Sequence, residues 1–429
     1  MKLLKIGLLA VCSAFAHAQP MMNAPANEEA AALSTSALFE QYQPSIFQIR
    51  VINQATGQKT SIGSGFVVGD GTMLASNYHV VSDAVNKEKH VLEYVDADDN
   101  SGTLTLLGVD VVHDLALLKA DKALGKPFRL DGIPRQGEPL FALGNPHDLG
   151  FVIVDGINNG LLRKSSRARI LFSGSLNSGM SGGPTLNSRG DVVGVNVAYL
   201  RQGNDISFVI PANYLQELLD KSAGGADMNA AITGQLFADN DAYFRDYLDK
   251  DWPHTQVGDF RVPMAMREDV RCWDSSPDPD VDDVIGVESV TCFNDRSTFI
   301  NNDVSVGEMG YSFTHFYARE PILRARFYRL YASQYRIAAE RRPRRDYGDY
   351  DCRAEFLEVG GKPFKTTFCR QPSKHFAKDG EAIEDMRLIA AQIGEDQEGL
   401  MVEVIINGVQ SRLGQQVLAH ILEQIQWQK

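Results

Sequence analysis

Gly179-Met180-Ser181-Gly182-Gly183-Pro184 runs into Thr185-Leu186-Asn187-Ser188-Arg189-Gly190-Asp191 and then into the apolar Val192-Val193-Gly194-Val195. The spacing of Gly179, Ser181 and Gly183 fits two backbone settings. In one, a strand enters the serine and a helix leaves it, so the hydroxyl stands on a strained strand-to-helix elbow. In the other, a glycine-rich loop carries the serine between two strands. Behind Pro184, an Asn-Ser-Arg-Gly turn signal is followed by a second apolar run, which reads as strand, turn, strand. The second setting holds, and it makes this part of the chain all-β.

Outward from that loop the same pattern repeats. Short apolar or alternating runs lie at Ile46–Ile52, Gly65–Val68, Met73–Ser76, Thr103–Leu107, Leu115–Lys119, Phe151–Asp155, Val192–Ala198 and Ser207–Ile210, divided by Gly, Asp and Asn turns. Many short strands with few helices imply a sandwich or barrel. After Pro211 the period becomes helical, with Leu215, Leu218 and Leu219 on one face, and a domain edge is expected near residue 225. Residues 226–429 read as a mixed α+β domain of unknown function. Pro321 suits the first turn of a helix that would bury Leu323, Phe327, Leu330 and Ile337. The tail reads as a strand, Met401–Ile406, and a closing helix with Leu413, Val417, Ile421 and Ile425 on one face. Tyr311, Phe313, Phe316, Tyr317, Phe327 and Tyr328 are expected in the core of this half.

Two further segments bear chemistry: Ala75-Ser76-Asn77-Tyr78-His79-Val80-Val81 and Val112-His113-Asp114-Leu115. Nucleophilic acyl transfer needs a serine, a histidine base to take its proton and an acid to orient that histidine. His79, Asp114 and Ser181 supply these in that chain order on an all-β background. With Leu143-Gly144-Asn145-Pro146 and Ile206-Ser207-Phe208-Val209-Ile210-Pro211, residues 40–212 resemble the trypsin-like serine proteases, closest to the HtrA/Deg branch. The α/β-hydrolases, whose elbow the Gly-x-Ser-x-Gly spacing also fits, need a helix after the serine.

The resemblance implies a chymotrypsin-like double β-barrel over residues 36–225. It implies that His79, Asp114 and Ser181 form the triad of a serine endopeptidase. The backbone N–H groups of Gly179 and Ser181 would form the oxyanion hole. Ser175, Leu176, Val197, Ala198 and Tyr199 would line the primary substrate pocket. None of these is acidic, so a small or medium apolar residue is expected at the cleaved position. The expected partners are peptide or protein substrates, with no cofactor and no metal, and a role in protein quality control goes with the branch. The alternative is a substrate-binding or chaperone-like protein on a protease scaffold. Two departures from the family stand out. Met180 replaces the usual Asn or Asp, and Tyr78 is bulkier than usual before the histidine. No carboxylate-binding loop of a PDZ domain is recognisable after residue 225.

The ends and the composition set the compartment. Lys2 and Lys5, an apolar run from Ile6 to Phe15 and Ala16-His17-Ala18 make a secretory signal peptide over residues 1–18, followed by a flexible lead-in over 19–35. Val11 before Cys12 disfavours a lipid-attachment site. The run is too short to span a bilayer, which takes about 20 residues. The expected product is exported: periplasmic in a Gram-negative source, secreted otherwise. Cleavage after Ala18 takes the formal charge of the 429-residue chain from −13 to −15, which argues against a general nucleic-acid binder. Of five cysteines, Cys272, Cys292, Cys352 and Cys369 remain, each in a strand-like run. Neighbouring strands suggest local bridges, Cys272–Cys292 and Cys352–Cys369, among three possible pairings. No C-x-x-C spacing or clustered His supports zinc. Arg324–Arg345 is a basic stretch, read as a helix face and loop paired with the acidic remainder; the sharper alternative is a docking patch.

Overall fold

Strands that bury one face and bend at glycines can close into barrels, and the first half of the chain does so twice. A computed structural model describes residues 33–197, 207–221, 227–250, 252–264, 267–278, 280, 283–337, 342–394 and 396–428. The expected signal peptide, most of the lead-in, Ala198 and Tyr199 lie outside the described residues. A short helix α1 (Thr35–Tyr42), capped by the Ser34 hydroxyl on the Ala37 N–H, leads into the first strand. β1 (Ile46–Asn53), β2 (Gln58–Val68), β3 (Met73–Ser76), β4 (His90–Val95), β5 (Ser101–Asp110) and β6 (Leu115–Ala120) close in the order β1-β2-β3-β6-β5-β4. Helix α2 (Tyr78–Asn86) connects β3 to β4. β7 (Pro139–Gly144), β8 (Val152–Leu161), β9 (Ile170–Phe172), β10 (Pro184–Leu186), β11 (Val192–Val197) and β12 (Ser207–Pro211) close in the order β10-β11-β12-β9-β8-β7. These two antiparallel six-stranded barrels are a chymotrypsin-like double barrel, as expected. Three strands escape the sequence pattern. His90 and Glu93 interrupt the apolar run of β4, β7 opens on a proline, a residue tolerated at a strand's first position, and β9 is only three residues long.

α3 (Ala212–Lys221) buries Leu215 and Leu218 against the barrels, and α4 (Met228–Leu248) follows, capped by Asp227 on the N–H groups of Asn229 and Ala230. The second half is α+β. β13 (His254–Val257) and β14 (Phe260–Pro263) form a small sheet with the chain's last strand. β15 (Val270–Asp274), β16 (Ile285–Asn294), β19 (Glu308–Ala318), β20 (Asp351–Val359), β21 (Lys362–Lys378), β22 (Glu381–Gln392) and β23 (Glu398–Gln410) make a seven-stranded antiparallel sheet. Its order is β15-β16-β19-β23-β22-β21-β20. A separate hairpin, β17 (Thr298–Asn301) and β18 (Val304–Val306), is inserted between β16 and β19.

α5 (Arg324–Gln334) packs Phe327 and Tyr331 on Phe316, Ile389 and Met401 of one sheet face. α6 (Ser411–Glu423) packs Leu413, Val417 and Ile421 into the core that includes Phe313, Val404 and Leu388, on the other face. The helix expected after Pro321 is shifted. Its N-cap residue is Leu323, so Pro321 lies before the helix rather than in its first turn. Leu323 is 79% exposed and Leu330 is 39% exposed; the buried stripe is Phe327 and Tyr331. Cys272 is bonded to Cys292, directly across β15 and β16, and Cys352 to Cys369, across β20 and β21. In the basic stretch, Arg342 pairs with Asp385 at 3.0 Å and Arg345 with Asp303 and Asp346.

Leu33–Lys429 forms one compact unit. The core around Val80, Val81 and Tyr78 of α2 continues into Ile232 and Leu236 of α4 and Ile300, Val304 and Val306 of the hairpin. Gln235 of α4 also donates to the Val109 carbonyl at 2.7 Å and accepts the Val111 N–H at 2.9 Å. The second half therefore packs on the side of the first barrel that carries His79.

Candidate active site

The turn before β6 places Asp114. Asp114 has a positive φ of 57°, a strained setting for a residue other than glycine. Its carbonyl is held by Asn77 Nδ2 at 2.9 Å and the Tyr78 N–H at 3.1 Å. Its carboxyl meets the first turn of α2 at two points. Oδ1 accepts the His79 backbone N–H at 2.8 Å, and Oδ2 stands 2.7 Å from His79 Nδ1. The imidazole is 23% exposed. Burial disfavours its charge, but the Asp114 carboxylate outweighs burial by charge and by hydrogen bond, so the pKa of His79 is raised.

The loop that carries Ser181 is built from the second barrel and locked to the first. The Ser64 N–H donates to the Ser181 carbonyl at 2.7 Å, and Ser64 Oγ donates to the Gly179 carbonyl at 2.7 Å while accepting the Asn145 N–H at 2.9 Å. Asn196, fully buried on β11, donates from Nδ2 to the Leu143 carbonyl at 2.9 Å, and its own carbonyl accepts the Gly182 N–H at 3.0 Å. Gly179 has φ 94°, and a Cβ there would overlap the Asn145 carbonyl and stand 2.9 Å from the His147 nitrogen. Gly182 has φ 85°, and its Cβ would stand 2.9 Å from the nitrogen of Asn77, the residue just before α2. The loop bearing Ser181 and the helix bearing His79 thus meet across the junction of the barrels.

Met180 is fully buried among Leu140, Ala142, Ile170, Phe172 and Val209. Of the expected pocket residues, Ser175 is exposed, and the Leu176 N–H donates to Ser207 Oγ at 2.9 Å. Val197 pairs with Phe208 on the neighbouring strand. Leu176 and Val197 therefore both adjoin the start of β12.

Four contributors have no role assigned in the sequence reading, although Tyr78 stands out there as a departure from the family. Ser64 and Asn196 shape the loop; a lone Asn inside Val195-Asn196-Val197 is the signal that could have found the second. Tyr78 is wholly buried and donates its hydroxyl to the Ile300 carbonyl at 3.1 Å, and burial pushes its pKa up to about 12. The rings of Phe299 and His79 meet in a T-shaped contact, centroids 6.3 Å apart and planes at 88°. Nothing local in the sequence connects Phe299 to His79.

A second His–Asp pair adjoins the first: His113 Nδ1 lies 2.7 Å from Asp110 Oδ2, and the His113 ring stacks on Tyr214 at 3.7 Å. It fastens α3 to the turn that carries Asp114.

Residues 63–195 match the family model described as trypsin-like peptidase domain. Similar curated proteins include the chloroplastic protease Do-like 1 of Arabidopsis thaliana, 29% identical over 48% of this chain and 51% of that protein. They also include the serine protease HTRA1 of Xenopus tropicalis, 31% identical over 46% of this chain and 43% of that one. A solved serine endoprotease from Yersinia pestis aligns over 44% of this chain and 67% of that chain, with 24% identity and a TM-score of 0.38. The chain spans about half the length of these curated relatives.

Proposed function

We propose that this chain, which carries a trypsin-like peptidase domain, is an exported serine endopeptidase acting through His79, Asp114 and Ser181. The observation that carries the proposal is the His79–Asp114 contact at 2.7 Å, on a helix whose preceding residue, Asn77, adjoins Gly182 of the glycine loop that carries Ser181. The chemistry follows from these groups. Ser181 Oγ attacks the peptide carbonyl as His79 Nε2 takes its proton. The carbonyl electrons move onto oxygen, held by the N–H groups of Gly179 and Ser181. His79, now charged and facing Asp114, gives its proton to the leaving amine and leaves an acyl-enzyme. Water, activated by the same His79, then releases the acid. Each oxyanion donor is worth about 3–4 kcal/mol in such transition states.

The protease unit is residues 36–225, and residues 226–429 are an accessory domain. Apolar Leu176 and Val197, with no acid beside them, favour small or medium apolar residues at the cleaved position. The buried Met180 offers no charge to a freed N-terminus, so activity needs no processing beyond leader removal. The leader-like segment 1–18 supports export. A relative described as a probable periplasmic serine endoprotease supports export as well, and quality control of exported proteins is the role that the resemblance implies.

The test is labelling of the mature chain with a fluorophosphonate, together with a peptide-library cleavage profile. Labelling and cleavage lost in Ser181→Ala support the reading. Cleavage surviving in that variant overturns it. Absence of labelling in the wild type favours a binding or chaperone-like protein. A clear preference for Arg at the cleaved position would refute the apolar pocket.

A further inference from the structure

The segment Asp295–Ile300 reaches both barrels at their junction. On the second barrel, the loop between β8 and β9 is tied to it three times. Asp295 Oδ1 accepts the Ser166 N–H at 3.1 Å, and Arg167 donates to the Ser297 carbonyl at 3.2 Å and to Thr298 Oγ1 at 2.6 Å. On the first barrel, the Ile300 carbonyl accepts both the Tyr78 hydroxyl and Asn86 Nδ2 at 3.1 Å. Tyr78 and Asn86 are the first and last residues of α2, so one carbonyl fastens both ends of the helix that carries His79. Ile300 is fully buried. Between these anchors stands Phe299, partly buried, its ring perpendicular to the imidazole.

We propose that Phe299, held on this strap by the second half of the chain, is a positioning residue for the base His79. The inference rests on the triad reading above. Asp114 holds the ring at Nδ1, but a hydrogen bond at one atom leaves the ring free to swing about its own side-chain bonds. An edge-to-face contact from a ring whose neighbour is a buried anchor removes that freedom, because aromatic pairs favour a narrow range of orientations. A base misplaced by about 1 Å can cost a hundredfold in rate. On this account the C-terminal half is part of the catalytic apparatus rather than only a substrate-recognition appendage. Tyr78, unusual for the family, is explained as the group that reaches the strap.

The experiment uses the full mature chain with Phe299→Ala, Phe299→Leu and the wild type. It reads steady-state peptide hydrolysis, fluorophosphonate labelling rate, thermal unfolding and the low-field proton resonance of His79 Nδ1–H. Expected are a kcat lowered at least tenfold in Phe299→Ala with KM within twofold, slower labelling and a broadened low-field signal. Phe299→Leu, which keeps apolar bulk but offers no ring, recovers only part of kcat and stays at least about threefold below the wild type. Wild-type labelling with Phe299→Ala kinetics unchanged overturns the proposal and leaves the triad reading standing. So does a KM that rises while kcat holds, which would make Phe299 a substrate contact. If Phe299→Ala unfolds, the Leu variant decides: a kcat lowered in a protein of wild-type stability supports positioning, and an unaltered kcat and proton signal refutes it. Wild-type protein that neither labels nor cleaves overturns both readings.

Discussion

His79 and Asp114 are joined twice, once through the imidazole Nδ1 at 2.7 Å from Oδ2 and once through the backbone N–H at 2.8 Å from Oδ1. The second bond fixes the carboxyl plane before the ring is considered, so the ring meets a preset acceptor. The same carboxylate favours imidazolium and raises the His79 pKa against the effect of burial. Catalysis needs the neutral base, so activity is lost as pH falls through the raised value. The acid limb of kcat/KM is expected above the ordinary histidine value of about 6.5. The stability contribution runs the other way. It is full below the unfolded pKa and is lost as pH rises through the folded one. A pH–rate profile beside urea titrations at several pH values reads both. For Asp114→Asn, kcat is expected to fall by about 10⁴, as wrong-tautomer variants of such triads do.

Gly179→Ala should disable the site without removing any of its side chains. The new Cβ meets the Asn145 carbonyl, and φ 94° is costly for any L side chain. The loop must move, and with it the N–H groups proposed to hold the oxyanion. Losing one donor costs about 10²–10³ in kcat. The expected loss is at least that large, with a stability cost of about 1–3 kcal/mol from the strained backbone. Peptide hydrolysis and chemical denaturation of the purified variant measure the two effects.

The sequence carries the barrels because their signals are local. Ser181 sits between a glycine loop and a strand–turn–strand pattern, and Asp114 precedes an apolar strand. The cysteine pairs follow from neighbouring strands for the same reason. The strap is illegible because Phe299 lies 220 positions from His79, as Ile300 lies 222 from Tyr78. No periodicity encodes a contact at that range. Leu323 and Leu330 mislead because their spacing is helical while the sheet beneath α5 selects Phe327 and Tyr331 instead. Tertiary packing decides which of two apolar stripes is buried.

The two disulfides should differ in what they stabilise. Each closes a short loop, of 20 and 17 residues in sequence separation, worth about 3 kcal/mol each in the chain-entropy account. Cys292 is fully buried in the main core of the second half, whereas Cys352 lies on the exposed edge strand β20. Replacing Cys272 and Cys292 together by Ala is expected to lower global stability and to speed hydrogen exchange across β16 and β19. Replacing Cys352 and Cys369 should mainly free β20. Hydrogen-exchange mass spectrometry separates these outcomes; equal loosening of the whole sheet in both variants would contradict the assignment.

Asp239 on α4 sits between two guanidinium groups, Arg167 of the second barrel at 3.0 Å and the 4%-exposed Arg296 of the second half. Burial pulls the Arg296 pKa down to about 10, opposed by Asp239 and reinforced by Arg167, so the group stays charged at neutral pH. Arg296 also lies 4.2 Å from the Tyr243 ring centroid and donates to Asn240 Oδ1 at 3.2 Å. Removing the carboxylate would leave two close cations and one buried charge without its counter-ion. Breaking such a pair costs about 3–5 kcal/mol. Asp239→Ala is therefore expected to lose about 3 kcal/mol or more, with Asp239→Asn losing less because an amide oxygen can still accept. The double variant Asp239→Ala with Arg296→Met should recover much of the loss, since the unpaired charge is gone. Arg167 also holds Ser297 and Thr298, so hydrolysis should fall in Asp239→Ala even at temperatures where the protein remains folded. Urea midpoints for the three variants, read beside peptide turnover at 25 °C, test both parts, and a loss of stability with turnover unchanged would separate the ionic clamp from the strap.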